Sequence, residues 1–145
     1  MNLSDITLTP LSHIKTPGGD VLHAMKESDT SFAGFGEAYF SWVDLGKIKA
    51  WKRHREMTLN IIVPVGNVRF AFCALATNGL PEFRIENVGV ERFMRITVPP
   101  GIWFGFQGLS QPQSLVLNIA NIEHNPSEVE NADLKAFKFD WAKDK

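Results

Sequence analysis

Short hydrophobic runs separated by glycine and proline dominate the pattern of this chain. The runs are rich in Val, Ile, Phe, Thr and Trp, and glycine and proline cluster between them at residues 17–19, 34–36, 64–66, 79–81, 99–101 and 108–112. Turn signals spaced roughly every 8–12 residues are typical of β-sandwiches and barrels, and not of alternating helices and strands. The pattern therefore predicts an all-β fold.

The hydrophobic runs place the predicted strands at residues 11–15, 36–43, 48–63, 67–75, 82–88, 92–98, 101–108 and 114–121. Because residues 48–63 are long for one strand, we expect a bend or bulge within them. Residues 20–27 fit either a strand or irregular structure. A helical turn is predicted over residues 125–131, where Pro126 opens a short acidic segment. No linker or repeat interrupts the pattern, so residues 1–145 are predicted to form a single domain.

The composition narrows the classes of function. The 145 residues are 44% hydrophobic and 21% charged, and 15 basic against 16 acidic side chains give a net charge of −1. This balance provides no global field to hold nucleic acid or an anionic membrane. The single cysteine, Cys73, lies in an apolar run and is predicted to be a reduced core residue of a cytoplasmic protein. The N-terminus lacks the pattern of a signal peptide, and no apolar segment approaches the ~18 residues that span a bilayer.

Residues 46–60 hold most of the candidate chemistry. In an extended strand, side chains alternate between two faces. One face would carry Lys52, His54, Glu56, Thr58 and Asn60. The opposite face would carry Lys49, Trp51, Arg53, Arg55, Met57, Leu59 and Ile61. The first row is polar throughout, so it either faces solvent or lines the wet mouth of a small barrel, and the alternation alone is compatible with both.

Glycine and proline around this segment are spaced as in the two signatures of the cupin barrel. Gly46 and Gly66 frame the first signature, and Pro99-Pro100-Gly101 begins the second. Of the four positions that hold metal ligands in those signatures, only His54 carries a ligand, because the others hold Lys52, Thr58 or Leu59, and Phe104. A first-row metal needs three or four N, O or S ligands. The sequence therefore predicts a cupin barrel with no metal and no other cofactor.

Within the cupins, the chain resembles the family of dTDP-4-dehydrorhamnose 3,5-epimerases and sugar-nucleotide 3,4-ketoisomerases, and in particular a short, divergent, epimerase-like branch. The resemblance extends from about Gly19 to Trp141. It rests on Gly19-Asp20, the segment from Lys49 to Gly66, Val98-Pro-Pro-Gly-Ile-Trp-Phe-Gly-Phe106, and the tail Asn131-Ala-Asp-Leu to Asp140-Trp141. It implies a jelly-roll barrel with a short helical or irregular C-terminal tail, a homodimer, and a nucleotide sugar as the small-molecule partner. The implied chemistry is proton transfer next to the ketone of a dTDP-4-keto-6-deoxyhexose, in the synthesis of surface polysaccharides.

The resemblance also implies roles for individual residues. His54 matches the second histidine of the ketoisomerases, and Lys52 occupies the position of the epimerase base. The alignment of the tail places Asp133 as the carboxylate partner of the His54 imidazole. Lys52 would either stabilise an enolate or act as the base itself. Lys49 matches the arginine that grips the diphosphate. Further substrate contacts are expected at Arg53, Arg55, Thr58, Asn60, Trp103, Asn118 and Asn121.

Two departures from the family pattern bear on the mechanism. The position of the epimerase base holds a lysine, and the strand predicted at residues 114–121 lacks the tyrosine that acts as the acid. Tyr39, the one tyrosine of the chain, lies in an early strand. Three functions stay open from the sequence: a nucleotide-sugar epimerase or keto-isomerase, a non-catalytic cupin that binds a carbohydrate or sugar nucleotide, and a small-molecule sensor or assembly subunit.

Overall fold

Two five-stranded antiparallel sheets share one hydrophobic core in the computed structural model, which describes residues 2–142. The strands are β1 (Thr7–Pro10), β2 (His13–Ile14), β3 (Val21–Leu22), β4 (Glu37–Asp44), β5 (Ile48–His54), β6 (Leu59–Val65), β7 (Asn67–Leu75), β8 (Pro81–Gly89), β9 (Met94–Val98), β10 (Trp103–Gly108), β11 (Gln113–Ala120) and β12 (Val129–Asn131). Single 3₁₀ turns lie at Leu3–Asp5 and Leu134–Ala136.

The strand order defines a jelly roll. The first sheet runs β1-β9-β6-β11-β4, the second runs β12-β5-β10-β7-β8, and β2 pairs with β3 apart from both. Between β4 and β11 the chain crosses from one sheet to the other at every connection except the β7–β8 hairpin. The predicted all-β cupin barrel with a short C-terminal tail is confirmed. No helix in residues 2–142 is long and apolar enough to cross a membrane.

The long hydrophobic run at residues 48–63 forms two strands and not one bent strand. β5 lies in the second sheet and β6 in the first, so residues 55–58 carry the chain across the barrel. The side chains of Leu59, Ile61 and Val63 point from β6 into the shared core. The bend or bulge expected in this segment is confirmed by a bulge in β5 between Lys49 and Lys52. The change of sheet also leaves the backbone amides of residues 55–58 free for other partners.

The helical turn predicted over residues 125–131 is wrong. Only residues 126–128 form a turn, and β12 follows it directly. β12 extends the edge of the second sheet, with Val129 opposite His54 and Glu130 opposite Arg53. The unpaired edge of β5 offers backbone hydrogen bonds that a single helical turn would leave unmade, so pairing outweighs the local preference of the acidic segment.

A second apolar cluster covers the outer face of the second sheet. Its buried members are Trp51, Ala71, Cys73 and Trp141, and Phe83, Trp103, Phe137 and Phe139 pack against them. The C-terminal tail supplies three of these rings, so it seals the outside of the sheet and not the barrel interior. Cys73 is buried there as predicted, and burial raises the pKa of its thiol to about 11.

Candidate active site

A buried histidine–carboxylate pair lies where the chain leaves β5. His54 is 7% exposed and Glu128 is 3% exposed. The Nδ1 atom of His54 is 2.5 Å from Oε1 of Glu128. The other carboxylate oxygen accepts hydrogen bonds from the backbone amides of Glu56, at 3.1 Å, and Met57, at 3.2 Å. These amides belong to the crossing between the sheets, so the break in the long hydrophobic run creates the cradle of the carboxylate.

The surroundings of Glu128 fix which nitrogen of His54 carries the proton. Burial by itself raises the pKa of Glu128, but the hydrogen bonds from His54 and the two amides outweigh burial, so the pKa of this carboxyl is lowered. An ionised carboxylate only accepts hydrogen bonds, and Nδ1 must therefore be the donor. Nε2 is then unprotonated in the neutral ring. It is buried and has no hydrogen-bond partner in residues 2–142.

Two adjoining cavities open beside His54 and share Tyr39 and Lys52 as wall residues. The His54 chamber has a volume of about 280 Å³ and is lined by Glu37, Tyr39, Lys52, His54, Met57, His124 and Val129. The Lys49 chamber has a volume of about 380 Å³, and its polar side chains are Tyr39, Ser41, Lys49, Lys52, Asn118 and Asn131. Each chamber is near or within the usual size of a small-molecule site. Together they form an elongated cavity between β4 and β5.

A bulge in β5 places both lysines in this cavity. Phe104 of β10 lies opposite Lys52, and Phe106 lies opposite Lys49, so three steps along β5 match two along β10. Gly105 faces the extra residue, and a β-carbon there would lie 2.4 Å from that of Ala50. The prediction that Lys49 and Lys52 lie on opposite faces of the strand is therefore wrong, because the extra residue of a bulge reverses the alternation of side chains beyond it.

The expected site residues His54, Lys52, Lys49 and Asn118 do line the cavity. Of the two alternatives for the polar row of β5, the structure shows that Lys52 and His54 line the mouth of the barrel. The ammonium of Lys49 donates a hydrogen bond to the backbone oxygen of Trp42, at 2.8 Å. The ammonium of Lys52 has no hydrogen bond or ion pair within residues 2–142, and it is available to an anionic ligand oxygen.

Arg53, Arg55 and Trp103 lie elsewhere. The guanidinium of Arg53 makes hydrogen bonds of 2.9 Å and 3.0 Å to Glu130 and stands 4.7 Å from the ring centre of Trp103, on the outer face of the second sheet. Arg55 is exposed and lies 3.5 Å from the same carboxylate. Strand alternation turns these side chains away from the barrel interior, so the structure does not bring them to the expected substrate site.

Thr58, Asn60 and Asn121 also have structural partners. The backbone amide of Thr58 donates to the side chain of Asn121 at 2.8 Å and ties the start of β6 to the end of β11. Asn60 is buried on the far face of the first sheet, where its amide oxygen accepts from Thr97 at 2.6 Å and from Arg95 at 3.2 Å. Asn60 points away from the cavity because its neighbours Leu59 and Ile61 point into the core.

The carboxylate partner of His54 is Glu128 and not Asp133. Asp133 instead caps the 3₁₀ turn at Leu134–Ala136, where its side chain accepts from the backbone amide of Lys135 at 3.2 Å. Sequence reasoning missed Glu128 because it assigned this acid to the first turn of a helix. The signal that identifies Glu128 is its position directly before β12, which pairs Val129 with His54.

Sequence reasoning also missed Tyr39. β4 pairs with β11 so that Tyr39 lies opposite Asn118, and both residues line the Lys49 chamber. Burial raises the pKa of the phenol, and the charge of Glu37 raises it further. The phenol is thus held in its protonated, donor form at neutral pH. Tyr39 and Val43 are four residues apart and therefore lie on the same face of β4, and Val43 is buried in the core. This alternation is the signal that could have placed Tyr39 on the inner face.

These observations define the class: a cupin jelly roll whose open end holds a histidine–carboxylate pair, a phenol and two ammonium groups. No three or more His, Cys, Asp or Glu side chains in the described part of the chain form a group that could hold a metal ion. No protein-family model matches the chain, and no curated protein matches its sequence.

Solved structures do match. A dTDP sugar isomerase from Desulfovibrio desulfuricans G20 is 32% identical, with a TM-score of 0.90 over 97% of this chain and 93% of that one. A dTDP-4-dehydrorhamnose 3,5-epimerase from Sulfolobus tokodaii is 18% identical, with a TM-score of 0.80 over 96% and 84%. QdtA, a sugar 3,4-ketoisomerase from Thermoanaerobacterium thermosaccharolyticum in complex with TDP, is 14% identical, with a TM-score of 0.75 over 90% of each chain. The last two likenesses show the fold.

The chain belongs to the family of dTDP-sugar isomerases and epimerases. The resemblance seen in the sequence is confirmed.

Proposed function

We propose that this protein is a nucleotide-sugar epimerase or keto-isomerase that moves a proton next to the ketone of a dTDP-4-keto-6-deoxyhexose, in deoxysugar synthesis for surface polysaccharides. The observation that carries the proposal is the free Nε2 of His54, with Nδ1 held by buried Glu128 beside a cavity of substrate size. An imidazole whose Nδ1 is held by a carboxylate has its Nε2 atom left to accept a proton from a ligand.

The first step is removal of a proton from the carbon next to the ketone. Nε2 of His54 accepts the proton, and the electron pair of the C–H bond moves to the ketone oxygen as an enolate forms. The ionised carboxylate of Glu128 stabilises the imidazolium. The ammonium of Lys52, which has no protein partner in the described residues, stabilises the enolate oxygen. Lys52 therefore acts as an electrostatic stabiliser and His54 as the base.

The second step returns a proton. Tyr39 stands on the β4 wall of both chambers, and Lys52 and His54 stand on the β5 wall. The protonated phenol of Tyr39 is proposed to supply a proton from the wall opposite the base. Protonation of the same carbon on its other face inverts that centre and completes an epimerisation. In a keto-isomerisation the enolate oxygen instead takes up the proton of the hydroxyl group on the neighbouring carbon, and protonation of the former ketone carbon then leaves the ketone on that neighbouring carbon.

The nucleotide is proposed to lie in the Lys49 chamber. Its lining combines the ammonium group of Lys49 with the amides of Asn118 and Asn131, which suit a diphosphate. QdtA was crystallised with TDP, and a 3,5-epimerase of this fold from Bacillus anthracis was crystallised with TDP and PPi. These ligands support a nucleotide diphosphate as the anchor of the substrate of this protein.

Solvent exchange tests the proposal. The protein is incubated with dTDP-4-keto-6-deoxyglucose in deuterated water, and the hydrogens next to the ketone are followed by proton NMR. We expect deuterium to replace one of them well above the protein-free rate, with the product showing either inversion or a shifted ketone. Calorimetric binding without any exchange would contradict catalysis and favour the non-catalytic sugar-nucleotide-binding cupin.

Tyr39→Phe is expected to slow product formation by about 100-fold, because it removes the proposed acid while it retains the ring. NMR follows product formation, and calorimetry with dTDP checks that the nucleotide still binds. Thr77→Val is the control, since it removes a hydroxyl group from the exposed β7–β8 turn, away from the cavity. An unchanged rate in Tyr39→Phe would remove the phenol from the mechanism.

We propose further that the protein is a homodimer that covers the outer face of β4. This strand is an edge of the first sheet, and its aromatic side chains Phe40 and Trp42 are 64% and 49% exposed, beside Phe35 at 66%. Contiguous exposed aromatic side chains on an edge strand are typical of interaction surfaces. Light scattering is expected to give twice the 16.3 kDa chain mass, and Trp42→Lys to shift the protein toward a monomer. A wild-type monomer at micromolar concentration would contradict the dimer.

A further inference from the structure

The two walls give the cavity opposite charges at its two ends. β4 presents Ser41, Tyr39 and Glu37 in order, and β5 presents Lys49, Lys52 and His54. Along an extended strand the four steps from Ser41 to Glu37 cover about 13 Å. The Lys49 end is therefore cationic, whereas the far end of the His54 chamber holds a carboxylate.

Glu37 has a free acceptor at that far end. Its Oε1 atom accepts a hydrogen bond from the backbone amide of His124. Its other oxygen, Oε2, has no hydrogen bond within residues 2–142, and its carboxylate forms no ion pair there. Because Glu37 lines the His54 chamber, this carboxylate meets whatever part of a ligand lies beside the imidazole. Its only part in the chemistry proposed above is its effect on the pKa of Tyr39.

We propose that Glu37 is a specificity residue that selects nucleotide sugars with an uncharged sugar ring and rejects those whose sugar carries a carboxylate. This inference rests on the proposed function, which places the sugar in the His54 chamber and the diphosphate in the Lys49 chamber. A neutral sugar offers hydroxyl groups, which donate hydrogen bonds to a carboxylate. A hexuronate brings a second negative charge into the same partly desolvated chamber, where like charges repel strongly.

The charge gradient also fixes the direction of binding. A diphosphate placed beside Glu37 would face a carboxylate, and placed beside Lys49 it faces an ammonium group. The reversed orientation is therefore unfavourable for the diphosphate. Glu37 thus keeps the sugar, and not the phosphates, beside His54.

Calorimetric titration with two stable probes tests the inference. dTDP-glucose carries a neutral hexose, and dTDP-glucuronic acid carries the matching hexuronate on the same nucleotide. The wild-type protein is expected to bind dTDP-glucose at least about tenfold more tightly. Glu37→Gln is expected to bring the two affinities within about threefold of each other, mainly by strengthening the binding of the hexuronate. The glutamine keeps an amide oxygen for the His124 amide, so retained dTDP-glucose binding shows that the site is intact.

Glu123→Gln is the matched control, because it removes one carboxylate from an exposed position of the neighbouring loop. This variant is expected to prefer dTDP-glucose over dTDP-glucuronic acid to the same degree as the wild type. Equal affinities in the wild type, discrimination that survives in Glu37→Gln, or discrimination lost in Glu123→Gln would each overturn the inference. Discrimination without any deuterium exchange would refute the proposed reaction and leave the selection by Glu37 intact. Binding of neither probe would overturn both.

Discussion

Exchange of substrate hydrogen with solvent is expected to fall by about a thousandfold when His54 is replaced by asparagine. The substitution removes Nε2, which is the proposed base. The side-chain amide of asparagine takes the place of Nδ1 and can still donate to Glu128, so the buried carboxylate keeps a partner. Proton NMR of dTDP-4-keto-6-deoxyglucose in deuterated water measures the effect, and thermal unfolding checks the fold.

His13→Asn is the matched control for this substitution. His13 also contacts a carboxylate, Asp20, at 2.8 Å, but it lies on the exposed β2–β3 hairpin. The control is expected to exchange hydrogen at the wild-type rate. If His54→Asn retained full exchange, the base would lie elsewhere, and Lys52→Met would then show whether the lysine removes the proton.

The second large effect is expected from Glu128→Gln, which should lower stability by about 2 kcal/mol at neutral pH. Glutamine has one acceptor oxygen, whereas the carboxylate serves His54 and the amides of Glu56 and Met57. A buried donor left without a partner costs about 1–3 kcal/mol. Catalysis should fall as well, by about tenfold or more, because the imidazolium loses its counter-charge. Urea unfolding and the exchange assay measure the two effects.

The pH dependence of stability tests whether the charge of Glu128 causes this stabilisation. The pKa of Glu128 is lower in the folded protein than its ordinary value, so this carboxylate stabilises the fold at neutral pH. The stabilisation is lost as the pH falls through the ordinary glutamate range, about pH 4.3, toward the lowered folded pKa. Wild-type stability should therefore decrease more steeply than that of Glu128→Gln below about pH 5. Glu123→Gln should keep the wild-type slope, and equal slopes in wild type and Glu128→Gln would refute the assignment.

The jelly roll was predictable because its signals are local. Glycine and proline mark the turns, and hydrophobic runs such as those of β7 and β11 are long enough to identify strands by themselves. The same frame placed His54 at the barrel mouth, since the spacing from Gly46 to Gly66 is that of a cupin signature. Lys52 and Lys49 followed from that frame, although the face assigned to Lys49 was wrong.

Residues that depend on strand pairing were not predictable in the same way. The bulge expected within residues 48–63 lies opposite Gly105 and reverses the parity of β5, but the sequence did not predict its position. Arg53 was expected in the site, but its partners Glu130 and Trp103 come from two other strands on the outer face of the sheet. A cluster of cations in sequence is therefore divided between the cavity and the surface by geometry alone.

The sequence by itself determined the fold class, the position of His54 at the barrel mouth and the scarcity of phenols, because turn residues, strand periodicity and residue counts are properties of the chain alone. Only the tertiary structure decided which groups lie beside His54. Glu128 follows His54 by 74 residues in the sequence and contacts it because β12 pairs with β5. Tyr39 reaches the cavity because β4 pairs with β11, so the single tyrosine of the chain supplies the phenol that β11 lacks. Contacts of such range depend on sheet order and register, which no short window of sequence encodes.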